Sequence, residues 1–166
     1  MKTKWFFLCA LALGSFTFAS CSDDDDNEGA RVPESVESAL RAKYPDATNV
    51  EWEAKAGYYV AEFWMNGAEV DVWFTTDAVW KMTETDLGVN VSKLPAEVKE
   101  AFLAGEYAAW AVDDIDKYER EDMTFFLVEV EKNGQRDRNL YYNEQGGLLK
   151  DAEDAPNDDV LPTTQF

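Results

Sequence analysis

A chain with no histidine and two cysteines, Cys9 and Cys21, offers little to catalysis. Histidine is the side chain most used as a general base near neutral pH and the commonest metal ligand, so most hydrolase and zinc-site chemistries fall away. A serine nucleophile needs an adjacent base. The serines expected in the folded region, Ser35, Ser38 and Ser92, fall in a helix or a linker. Asp114-Ile115-Asp116 lacks the further ligands and the glycine of a calcium loop, and the sequence contains no glycine-rich phosphate loop. Paired carboxylates can cut glycosidic bonds, but with 34 acidic residues some pair lies at suitable separation in any fold. The chain therefore reads as a non-enzyme with no metal and no cofactor. Its net charge of -19 repels phosphate and anionic headgroups, which removes nucleic acid as a partner.

What remains to do chemistry is a set of rings among carboxylates. Around Asn66-Gly67, a strong hairpin signal, the residues alternate with a period of two. Tyr59, Ala61, Phe63, Val70, Val72 and Phe74 are directed to one side; Tyr58, Trp64 and Trp73 are directed to the other, beside Glu62, Glu69 and Asp71. In a second copy of the pattern the matching rings are Phe125 and Tyr141. Two arrangements satisfy this alternation: a second core that buries the rings, or an aromatic-acidic recognition face. Burying Glu62, Glu69 and Asp71 unpaired is costly, so the expectation is an interaction face with Trp64 and Trp73 both accessible.

The elements that carry these residues occur twice. Val32-Pro33-Glu34-Ser35-Val36 aligns with Leu94-Pro95-Ala96-Glu97-Val98, Val60-Ala61-Glu62-Phe63 with Leu127-Val128-Glu129-Val130, and Trp73-Phe74-Thr75 with Tyr141-Tyr142-Asn143. Each copy opens with a proline at the first helical position and acidic residues in the first turn. Val36, Leu40 and Tyr44 form one apolar helix face, and Val98, Phe102 and Leu103 the other; Tyr44-Pro45 and Gly105 end the helices. The period then falls to two, with Asn66-Gly67 repeated as Asn133-Gly134 and with Gln145-Gly146-Gly147 at the last turn. The expected fold is α+β, a tandem duplication of a helix plus a four-stranded antiparallel meander, with copies at 32–88 and 94–152 and a polar tail at 153–166.

Ahead of the domain, Lys2 and Lys4 precede an apolar run at 5–18 that is shorter than the roughly twenty residues of a spanning helix. Phe18-Ala19-Ser20-Cys21 resembles the lipobox of bacterial lipoproteins, with Phe18 where leucine is usual. The resemblance implies a lipoprotein signal peptide at 1–20 and acylation of Cys21, the only contact with a membrane. Residues 21–31 form an acidic tether whose Ser22-Asp23-Asp24-Asp25-Asp26 resembles the export signal of surface lipoproteins in Bacteroidota. The expected location is the outer membrane, surface-exposed or else on the periplasmic leaflet.

The lipobox, the proline-initiated helices, Tyr44-Pro45-x-Ala47, Val50-x-Trp52 and the paired Asn-Gly signals together resemble the PepSY-like, β-lactamase-inhibitory-protein-like family of Bacteroidota lipoproteins. That resemblance implies two helix-plus-sheet units side by side, with a sheet surface facing outward that binds a protein partner. The inhibitory proteins hold each repeat with a disulfide, which this chain cannot form once Cys9 leaves and Cys21 is acylated. A glycan stacked on the same rings is the alternative ligand.

Overall fold

The computed structural model describes residues 31–155 and 160–166, so Cys21 and the segments read as leader and tether lie outside the described residues. The first element is α1 (Glu34–Lys43), which buries Val36 and Leu40. Pro33 stands at its N-cap, one residue earlier than the first-turn position expected from the sequence. The Pro33 carbonyl accepts the opening bonds from Val36 N–H at 2.9 Å and Glu37 N–H at 3.2 Å. Tyr44, with φ of -130° and ψ of 74°, leaves the helical conformation ahead of Pro45 and ends the helix.

Four strands follow: β1 (Glu51–Lys55), β2 (Tyr58–Met65), β3 (Ala68–Thr75) and β4 (Trp80–Asp86). Asn66 and Gly67 join β2 to β3 with φ of 54° and 80°, the left-handed pair that a type I′ hairpin requires. After a short 3₁₀ turn at Val91–Lys93 comes α2 (Ala96–Ala104), with Pro95 again at the N-cap and Gly105 at the C-cap. Val98 and Phe102 are buried against the sheet, whereas Leu103, expected on the same face, is exposed, being one position round the helix from Phe102. Then come β5 (Ala111–Arg120), β6 (Thr124–Glu131), β7 (Arg138–Asn143) and β8 (Leu148–Glu153). Asn133-Gly134 does not make a tight two-residue hairpin. It sits within a longer connection at 132–137, closed by Gln135 N–H to the Lys132 carbonyl at 2.9 Å, and Gly134 alone of the pair has positive φ.

The expected order of helix and four strands is present in each half, but the strands do not form two separate four-stranded meanders. They make one antiparallel sheet of 8 strands in the order β1 to β8, because β4 pairs with β5 from Met82 opposite Arg120 to Asp86 opposite Asp116. The second helix spans the connection between those two strands, so both helices cover one face. Beneath α1 lie Ala61, Phe63, Val70, Val72 and Phe74; beneath α2 lie Ile115, Phe126, Val128, Val130, Leu140 and Tyr142. Among the described residues no helix is long and apolar enough to cross a membrane.

Candidate binding face

The side of the sheet away from the helices carries every residue of the expected interaction face, but it does not present them alike. Parity holds: Tyr58, Val60 and Trp73 share an apolar cluster with Met82, Tyr118, Phe125, Leu127 and Tyr141, distinct from the two clusters under the helices. This cluster also contains Val160, with Leu161 packed against it, so the C-terminal segment 160–166 closes over the middle of the sheet. Trp73, Phe125 and Tyr141 keep only 2%, 0% and 3% of their surface, which corrects the expectation that Trp73 is accessible. Tyr58 is half-buried against Trp73, at 6.0 Å between ring centroids.

Trp64 is 64% exposed. The two tryptophans share a face, yet Trp73 lies opposite Val60 and Trp64 opposite Glu69, four residues apart along β2. At about 3.4 Å per residue that is roughly 14 Å, enough to leave Trp64 beyond the covered region.

Beside Trp64 the sheet brings acids into register. Glu51 lies opposite Glu62, Glu62 opposite Asp71, and Asp71 opposite Glu84, a row of carboxylates on successive strands about 4.8 Å apart. Carboxylate oxygens of Glu62, Glu69 and Asp71 come within 4.8 Å of one another, a grouping that could hold a cation. A cleft of about 100 Å³ opens here, lined by Glu51, Trp52, Glu53, Val60, Glu62 and Asp71. Asp71 is the innermost acid: its Oδ1 is buried and has no hydrogen-bond partner. Burial first, and then the neighbouring Glu84, Glu62 and Glu69, push its pKa up to about 8, opposed only weakly by Lys55. Burial and the adjacent Glu69 raise Glu62 as well. The cleft thus stores an unfavourable concentration of negative charge that a cationic group would relieve. A second grouping, Asp86, Asp114 and Asp116, lies on the same face where β4 meets β5.

Sequence reasoning found Glu62, Glu69 and Asp71 but not Glu51, Glu53 or Glu84. The alternation around Trp52, which packs under α1, would have directed Glu51 and Glu53 outward. The covering segment had no periodicity to reveal it; its signal was the apolar pair Val160-Leu161 and the aromatic Phe166 in an otherwise polar stretch.

The family described as "Putative beta-lactamase-inhibitor-like, PepSY-like" matches residues 57–150, from the start of β2 into β8. Among solved structures, a BLIP-like protein from Bacteroides fragilis is 38% identical with a TM-score of 0.77, over 85% of this chain and 100% of that one. A DUF2874 family protein from Bacteroides ovatus is 36% identical with a TM-score of 0.72, over 75% of this chain and 89% of the other. A third, from Bacteroides eggerthii and described as a "putative periplasmic" protein, is 32% identical with a TM-score of 0.71, over 75% of this chain and 90% of that one. No curated protein matches the chain.

Proposed function

Since the chain belongs to the β-lactamase-inhibitor-like, PepSY-like family, we propose that it is a non-catalytic binding protein of the cell envelope, anchored through an acylated Cys21 and engaging a protein partner through the outer face of its sheet. The periplasmic description of the Bacteroides eggerthii neighbour and the lipobox-like Phe18-Ala19-Ser20-Cys21 support the location, and the acidic run after Cys21 supports display at the cell surface. The family description and the absence of histidine support a role other than catalysis.

The observation that carries the reading is Trp64, a large ring 64% exposed, opposite Glu69 and two residues along β2 from Glu62, which lines the carboxylate cleft. An exposed apolar ring bordered by charge is characteristic of a recognition site. The cleft accommodates an ammonium or guanidinium group, and Trp64 offers a π face to a second cation or an apolar anchor. The partner is therefore a protein presenting Lys or Arg beside an apolar residue. Glycan capture is the weaker reading, because burial of Trp73, Phe125 and Tyr141 removes most of the rings on which sugars would stack.

Pulldown from envelope extract with the wild-type chain and with Trp64→Ala tests this. Binding should be lost in Trp64→Ala and should weaken steeply with salt, since pairing across the cleft is screened. Salt-independent capture that survives Trp64→Ala rejects the proposal, and selective glycan-array signal lost in Trp64→Ala supports the alternative ligand.

A further inference from the structure

Arg120, at the end of β5, is a cation on this acidic face that the cleft does not use. Its Nη1 donates to the Thr164 carbonyl and its Nη2 to the Leu161 carbonyl, both at 2.7 Å. Its guanidinium carbon lies 5.0 Å from the centre of the Phe125 ring and 5.9 Å from that of Phe166. The segment it holds is organised within itself. Thr164 N–H donates to the Leu161 carbonyl at 2.9 Å, and Leu161 N–H donates to Thr164 Oγ1 at 3.0 Å. Together they close a turn around Pro162 and Thr163, in which proline limits the conformations available before docking. On either side of the turn, Val160 is buried, and Phe166 stands edge-on to Phe125 at 4.7 Å and tilted against Tyr141 at 5.2 Å. Tyr118 stacks on Phe125 at 4.9 Å to complete the floor.

One guanidinium reading two main-chain carbonyls, an aliphatic side chain buried and a ring laid on rings are the contacts by which a receptor holds a short peptide. The attachment is local. Residues 160–166 belong to no strand, and Phe166 keeps 40% of its surface, so the segment can lift without breaking a ladder of the sheet.

We propose that residues 160–166 are an intramolecular pseudo-ligand, filling a peptide site floored by Tyr118, Phe125 and Tyr141 and clamped by Arg120, and that a partner segment of the same chemistry displaces them. That chemistry is an aliphatic residue, a proline-containing turn and an aromatic ring. This rests on the reading of the outer face as the binding surface, and deepens it: displacement uncovers rings on β5, β6 and β7, on the same face as Trp64 and the carboxylate cleft of the first half, so a partner that spans the face engages both.

The probe is a fluorescein-labelled peptide of residues 160–166, added in trans to the full chain and followed by polarisation. Phe166→Ala weakens the internal occupant and leaves the receptor intact, so that chain should bind the peptide at least ten-fold more tightly than wild type does. Adding Arg120→Gln should abolish the gain. Hydrogen exchange on the unmodified chain gives an independent measurement: the Thr164 amide should exchange at least a hundred-fold faster than that of Val128 in β6. Equal protection of the two amides, or absence of peptide binding by a folded Phe166→Ala chain, overturns the proposal, and should Phe166→Ala fail to fold, the exchange ratio alone decides. Trp64→Ala should leave peptide binding unchanged, so salt-independent envelope capture that survives Trp64→Ala, with intact peptide exchange, rejects the proposed function while sparing the pseudo-ligand.

Discussion

The two halves of the outer face answer the same topological question differently. In the first, Glu51, Glu62, Asp71 and Glu84 stand in one row across the strands. The equivalent row in the second is Asp114, Glu129, Asn139 and Ala152. Asp71 has become Asn139, a neutral amide that retains 2% of its surface and donates from Nδ2 to Asp154 Oδ1 at 3.3 Å, whereas Asp71 keeps a carboxyl crowded by Glu84, Glu62 and Glu69. Likewise Tyr58 is half-buried where its counterpart Phe125 is enclosed. At this position the duplicated scaffold thus holds a neutral amide in one half and a carboxyl crowded by like charges in the other, while the second half buries its own acid, Asp116, beside Asp86 and Asp114.

Substitutions that exchange features between the halves test the contrast. Phe125→Ala should have the largest effect, destabilising the chain by about 3–5 kcal/mol as expected for a fully enclosed ring. Tyr58→Ala, its counterpart, should cost clearly less in the same urea titration. Equal losses would mean the halves are packed alike. Asn139→Asp should come next, at about 2–4 kcal/mol at pH 7, because it buries a second carboxylate against Asp154. That cost should shrink in acid as the new carboxyl protonates.

The reciprocal change, Asp71→Asn, should stabilise the chain by at least about 1 kcal/mol near pH 8, since every tenfold rise in proton affinity on folding corresponds to about 1.4 kcal/mol. The sign follows from the pKa raised to about 8. Below about pH 4 Asp71 is neutral in both folded and unfolded chains. As pH rises the unfolded chain ionises it first, so wild-type stability falls until about pH 8 and then levels. The advantage of Asp71→Asn should open across that window, and a pH-independent difference would place Asp71 in contact with water. Smallest of all, Trp64→Ala should shift stability by less than about 0.5 kcal/mol, as for a surface site. A loss like that of Phe125→Ala would make the open half a core.

The sidedness of the rings was legible in the sequence, and the contrast between the halves was not. The Asn66-Gly67 signal fixed the β2–β3 register, and alternation from it assigned Ala61, Phe63 and Phe74 correctly to the helix side. Parity, however, says which side a ring takes, not how far along the strand shelter extends, so Trp64 and Trp73 were indistinguishable. The pairing of β4 with β5 leaves no local trace, because the partners are separated by α2 and each alternates as it would at a free edge. The cover over Phe125 and Tyr141 was equally hidden, since a segment that docks through one turn and three side chains needs no repeating pattern.

The strictly sequential order of the strands has a consequence for how the molecule forms. Every strand but one can be laid down beside its immediate predecessor through a turn of a few residues, at little cost in loop-closure entropy. The exception is the step from β4 to β5, which must close across residues 87–110 and the whole of α2. Assembly is therefore local within each half and non-local at one seam, and non-local pairing is what slows β-rich chains. By that rule the seam is the step expected to limit the rate of folding, since it is where the two halves join into one sheet.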